Sequence, residues 1–137
     1  MTNAPSKDIK ALLVTAGLAT GDIKLGRLPE SGNDKVIAIK DTGGFPPNPA
    51  FLIDNPTVQI LIRGNKQDYS VTYTLARLII DALLGLPKQT VNGTVYIGIW
   101  MQSDIIPLGY DESQRPMFSL NFRLVREPAS GTYRTQG

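Results

Sequence analysis

Residues 56–101 read PTVQILIRGNKQDYSVTYTLARLIIDALLGLPKQTVNGTVYIGIWM, and their patterning decides the fold class. From Thr57 to Arg63 the chain alternates. Val58, Ile60 and Ile62 point one way and Gln59 and Arg63 the other, with Leu61 the apolar exception, so this is a strand. Gly64 and Asn65 end it. Asn65 with Asp68 three residues on resembles a capping box, and the spacing predicts a helix running to about Leu84. Its expected buried stripe is Val71, Leu75, Leu78, Ile79 and Ala82, with Leu83 alongside. Gly85 stands where a helix ends and Pro87 prevents continuation. Asn92-Gly93 is a favoured hairpin turn, so a short strand over 89–91 is expected to pair with the next, Thr94 to Met101. In that strand Val95, Ile97, Ile99 and Met101 alternate with Tyr96, Gly98 and Trp100. Tyr96 and Trp100 are thus expected on one face, as core or as an aromatic patch for a partner.

Toward the N-terminus, Ile9, Leu12, Leu13 and Ala16 fall on one face of a short helix. Ser6 is its expected N-cap, and Gly17-Leu18 a left-handed C-cap with its hydrophobic contact. Ile23 and Leu25 mark a brief extended run, and Val36 to Ile39 a stronger strand. From Asp41 to Pro56 the pattern collapses, because Gly43-Gly44, Pro46-Pro47, Pro49 and Pro56 deny regular structure. This segment nevertheless carries Phe45, Phe51, Leu52 and Ile53, which marks a loop that covers something. Toward the C-terminus, Ser103 to Met117 reads as a second irregular segment, and Phe118 to Val125 as a strand with Phe118, Leu120, Phe122 and Leu124 on one face. The polar stretch 127–137 reads as a mobile tail, leaving 1–126 as one domain. The order α-β-β-β-α-β-β defines an α+β fold: a mainly antiparallel sheet with two helices packed on one face.

Composition narrows the chemistry. The 137 residues include no Cys and no His, which excludes disulfides, thiolate chemistry, histidine acid/base catalysis and imidazole or thiolate metal sites. A net charge of +2 is too small to make nucleic-acid binding the default. No apolar run reaches membrane-spanning length, and the first ten residues lack the pattern of a secretory leader. Neither Thr42-Gly43-Gly44 nor Arg63-Gly64-Asn65-Lys66 matches a phosphate-binding loop. Asp104, Asp111 and Glu112 share one segment and Asp41 and Asp54 flank the other, at spacings that fit no EF-hand, so they read as solvated carboxylates. No catalytic residue, metal ligand or cofactor is expected. The two apolar segments and the aromatic strand point toward assembly.

Pro56 to Gly64, the helix closing on Asp81-Ala82-Leu83-Leu84-Gly85-Leu86, then Val91-Asn92-Gly93 and Tyr96-Ile97-Gly98-Ile99-Trp100 are together similar to minor capsid or tail-terminator (tail completion) proteins of long-tailed bacteriophages. Asp41-Thr42-Gly43-Gly44, Asp104, Leu108-Gly109, Asp111, Arg115-Pro116 and Phe118 to Arg123 extend the resemblance over about residues 20–126. The resemblance implies a structural protein without catalytic residues. It also implies a ring, typically of six subunits, at the head-proximal end of the tail tube in the virion, assembled in the host cytoplasm. Such a ring ends tube polymerisation, meets the major tail tube protein and the head-completion or connector protein, and lets genomic DNA through its lumen without reading sequence. A cyclic assembly needs two different complementary patches. Asp41 to Pro56 and Ser103 to Met117 are the expected contact segments, with Phe45, Phe51 and Tyr110 as anchors, Leu52 in the same interface and Arg115 paired to a neighbour's carboxylate. Tyr96, Trp100, Asp104 and Asp111 complete the expected interface. Two other readings stand beside this one: a head-completion or connector adaptor at the portal side, and a small ligand-binding domain using the Asp- and Arg-bearing loops.

Overall fold

The computed structural model describes residues 2–18, 22–30, 32–47 and 52–128. Among the described residues nine elements follow one another: α1 (Pro5–Thr15), β1 (Asp22–Leu25), β2 (Val36–Gly44), β3 (Pro56–Arg63), α2 (Tyr69–Leu84), β4 (Gln89–Val91), β5 (Thr94–Met101), β6 (Ile106–Tyr110) and β7 (Pro116–Glu127). The long alternation on β7 makes it the spine of the sheet. β3 runs antiparallel along one side of it, with Thr57 opposite Arg123 and Arg63 opposite Met117. Its other side is shared end to end by β5, opposite 122–127, and β6, opposite 116–119. The full order is β1-β2-β3-β7-β5-β4 with β6 beside β7. Only β1–β2 is parallel, so the sheet is mixed and mainly antiparallel, and the fold is α+β.

One face of the sheet makes the core. Ile37 faces Ile62, Ile39 faces Ile60, and Val58 faces Phe122 across the ladders, all essentially without exposure. Ile9, Leu12 and Leu13 of α1 join the same cluster, as do Leu75, Ala76, Ile79, Ile80 and Leu83 of α2. Burying a side chain of this size contributes roughly 1.5–3 kcal/mol, so this layer dominates stability. The Gly17-Leu18 cap forms as expected. Gly17 has φ +76°, and the Leu18 N–H reaches the Leu13 carbonyl at 3.0 Å while Leu18 packs on the core.

Several expectations are corrected. Ser6 does not cap α1: Ala4 is the N-cap and Pro5 opens the helix. Instead the Ser6 N–H and Oγ both donate to the Asp41 carboxylate, at 2.8 and 2.7 Å, so an anion from β2 sits at the positive end of the helix. Ala16 is exposed. Asn65 begins a turn, closed by the Asp68 N–H on its carbonyl at 3.1 Å, and α2 starts only at Tyr69. The buried stripe of α2 also differs: Thr72, Ala76 and Ile80 are buried, while Val71 and Leu78 are exposed. A Cβ on Gly64 would overlap the Thr72 hydroxyl, so this glycine lets the first turns of α2 close on the end of β3.

Two segments expected to be irregular hold strands. β2 continues through Asp41 to Gly44, with a bulge before Gly44 pairs Pro56. Gly43 and Gly44 take φ of +88° and +117°, and a Cβ on Gly44 would overlap the Asn55 carbonyl, so this glycine pair bends the strand without ending it. Within Ser103 to Met117, β6 pairs with β7 as a hairpin, again with a bulge, between Pro107 and Gly109. Four strands thus follow α2, where two were expected. Glu127 still belongs to β7, opposite Val95, and not to a tail; residues 129–137 lie outside the described ones.

Candidate interaction surface

The helix-free face of the sheet carries an aromatic patch, built by a bulge. β5 slips by one residue against β7 between Tyr96, opposite Arg126, and Gly98, opposite Val125. Ile97 is the extra residue, and it separates the two aromatics. Tyr96 turns into the core at 2% exposure, whereas Trp100 emerges on the opposite face at 52%. The expectation that they share a face is corrected by this bulge. Gly98 gives Trp100 its place, since a Cβ there would come within 2.5 Å of the indole ring. Across the ladder Trp100 faces Arg123, whose guanidinium lies 5.1 Å from the Phe45 ring centroid and donates to Asn55 Oδ1 at 3.2 Å. Phe45 is 56% exposed. The result is an open row, Phe45, Arg123 and Trp100, of residue types enriched at binding hot spots. Beside it the face is polar and internally satisfied: the Thr42 and Thr57 hydroxyls meet at 2.7 Å and Gln59 donates to Ser119 at 2.9 Å.

The second exposed apolar group lies on β6. Ile106, Leu108 and Tyr110 are each about half exposed. Tyr110 leans on Tyr69 at 6.3 Å between ring centroids, and Tyr69 packs edge-on against buried Phe118 at 5.0 Å. The turn that follows is clamped from within. Asp111 Oδ1 accepts from the Ser113 and Arg115 N–H groups at 3.0 and 2.9 Å, and Oδ2 accepts from Arg115 Nε at 2.7 Å. Burial opposes ionisation of this carboxyl, but the Arg115 N–H and guanidinium and the Ser113 N–H together outweigh it and hold its pKa below the ordinary value. Arg115 also reaches Asp34 at 3.3 Å. Arg63 donates to the carbonyls of Pro29, Asn33 and Asp34, and its pKa is lowered by burial and by the neighbouring Arg115 charge. Two buried guanidiniums thus tie the loop between β1 and β2 to the base of the β6–β7 hairpin.

A third polar group was invisible in the sequence. Asp8 of α1 is completely buried; it accepts from Tyr96 Oη at 2.5 Å and from Asn92 at 2.9 Å, with Arg126 at 3.7 Å. Arg126 also donates to Tyr96 Oη at 3.0 Å and to the Asn3 carbonyl at 2.9 Å. Burial and the bond to Asp8 raise the Tyr96 pKa well above its usual value. Asp8 and Arg126 are 118 positions apart, so no local spacing signals the pair.

Among the expected interface residues, Phe45, Trp100 and Tyr110 are exposed, Leu52 is half-buried and Tyr96 is core. Phe51 lies outside the described residues. Asp104 is exposed, 3.4 Å from Arg77, and accepts from the Ile105 N–H. Arg115 is buried, and its guanidinium is engaged by Asp111 and Asp34 of its own chain. Asp111 likewise has both oxygens occupied. No group of three or more His, Cys, Asp or Glu among the described residues is placed to hold a metal ion. The buried charges are answered within the chain, whereas Phe45, Trp100, Ile106, Leu108 and Tyr110 leave apolar and aromatic surface exposed.

Fold and surface together define a small α+β module that presents exposed sheet edges and an open aromatic row. Residues 12–128 match the family described as bacteriophage tail terminator protein, and the chain belongs to that family. It is therefore a structural protein of a phage-type tail. A chain of the "Virion of native gene transfer agent (GTA) particle" shares the fold, with a TM-score of 0.64 at 14% identity, covering 90% of this chain and 95% of that one. No curated protein matches the sequence at a significant level.

Proposed function

We propose that this protein forms a homo-oligomeric ring, of about six subunits, at the head-proximal end of a phage tail tube, ends tube polymerisation and offers the surface to which the head joins. The observation that carries the reading is the open row of Phe45, Arg123 and Trp100 on the helix-free face of a sheet that belongs to the tail terminator family. Aromatic side chains left half in water cost the monomer solvation that a partner recovers, and a guanidinium stacked over an exposed ring is a typical anchor. In this reading Phe45, Leu52, Trp100 and Tyr110 make contacts to the tube or to sister subunits, with Asp104 at their rim. The ring sits at the head–tail interface of the virion after assembly in the host cytoplasm. It meets the major tail tube protein on one side and a head-completion or connector protein on the other, and genomic DNA passes through its lumen unread. The test is polymerisation of purified tail-tube subunits with and without this chain. Tubes whose growth stops in its presence support the reading, and tubes of unregulated length contradict it.

A further inference from the structure

Two of the free edges of the sheet, β1 and β6, have complementary chemistry, while β4 closes the strand order elsewhere. β1 lies at one edge and β6 on the far side of β7, four strand spacings away, roughly 19 Å. Along α1, from Leu25 of β1 to Asn92 of the β4–β5 turn, runs an open groove of about 510 Å³ lined also by Ala11 and Val14 together with Lys7 and Lys10. Val14 and Leu25 are about half exposed, and neither lysine makes an ion pair among the described residues. At the opposite edge, Ile106, Leu108 and Tyr110 lead into a turn where Glu112 lies beside Glu30 around a second open hollow. Neither glutamate has an ion-pair partner among the described residues, in contrast to Asp111. Pro107 lacks an N–H and Gly109 follows a bulge, so β6 is ill suited to extend another sheet through its backbone; what it offers is side chains.

We infer that the β6 hairpin of one copy seats on the α1–β1 groove of the next, with Leu108 and Tyr110 against Val14 and Leu25 and Glu112 facing Lys7 and Lys10. The inference rests on the ring reading above and names the surfaces that would close it. A second copy is the occupant because charge and apolar character match between the two edges of this same chain. The Arg63–Arg115 clamp matters here, since it fixes the hairpin base before any neighbour arrives and lowers the ordering cost of docking. Because the patches differ and lie on opposite edges, the contact is head-to-tail, the kind that generates rings.

The chain has no cysteine, so introduced ones report only on themselves. The double variant Val14→Cys/Leu108→Cys, oxidised at high concentration, is expected to give a ladder of disulfide-linked oligomers, with each single variant giving none. Independently, Lys10→Glu and Glu112→Lys are each expected to weaken self-association about tenfold, and to restore it when combined in one chain. All of these positions are exposed or rim positions, and circular dichroism checks that each variant is folded. Rings that assemble with neither cross-linking nor sensitivity to charge reversal overturn this inference and leave the ring reading intact. A chain that stays monomeric alone and is absent from tube ends overturns both.

Discussion

The two faces of the sheet use the same residue types to opposite ends. On the helix-covered face, Tyr96 and Arg126 are buried and bonded to each other and to Asp8, so their polar atoms are answered within the chain. On the helix-free face Trp100 and Arg123, next to them on the same two strands, are exposed, and the neighbour of Arg123 is Phe45, itself half in water. The difference lies in what covers each side. Residue type therefore says little about role until the partner is known; a guanidinium enclosed by its own chain fastens the fold, and one in the open is available to another molecule.

Substitutions on the covered face should break the fold first. Phe122→Ala is expected to cost about 3–5 kcal/mol, because a fully buried ring leaves a cavity in the core, and urea denaturation measures it directly. Arg126→Met removes the cation beside the buried Asp8 carboxylate and is expected to cost about 3 kcal/mol, part of which returns when Asp8→Asn is added. At the edge, Arg115→Ala is expected to cost about 1 kcal/mol by removing the hydrogen bonds of a buried guanidinium to the partly exposed carboxylates of Asp111 and Asp34. Amide exchange in β6 should rise more than in β3 in the same variant.

The clamp also fixes a pH dependence. The Asp111 pKa is lowered in the folded chain from its ordinary 3.8. The unfolded state thus binds the proton more readily. The contribution of this carboxylate is fully present above that ordinary value and is lost as pH falls through the lower folded one. Asp111→Asn should flatten this part of an acid titration of stability, followed by thermal unfolding. The smallest stability effect belongs to the open face. Phe45→Ser and Trp100→Ser are each expected to leave unfolding within about 0.5 kcal/mol of wild type while assembly is lost. Sedimentation and denaturation of the same samples separate the two readouts.

How much of this could be read from the sequence depended on how local each cause was. β3, β7 and the Asn92-Gly93 turn are set by alternation and turn chemistry over a few residues, and they form where expected. β6 and the far half of β2 were hidden because Pro107, Gly109 and Gly43-Gly44 look like breakers, whereas in a bulged strand they are what the backbone needs. The Ile97 bulge left no trace at all, since Val95 to Met101 alternates without interruption. It is nevertheless what turns Trp100 outward and Tyr96 inward. Phe45 and Tyr110 were legible as large side chains in apparently irregular segments. The pairing of Arg115 with Asp34 within the chain was not legible, because the two lie 81 positions apart.

Direct imaging tests the central claim. With wild-type protein added to growing tail tubes and the ends viewed by electron microscopy, each finished tube should carry an annular cap at one end, and Phe45→Ser/Trp100→Ser protein should leave the ends bare. Bare, still-growing ends with the wild-type chain in excess would contradict the account.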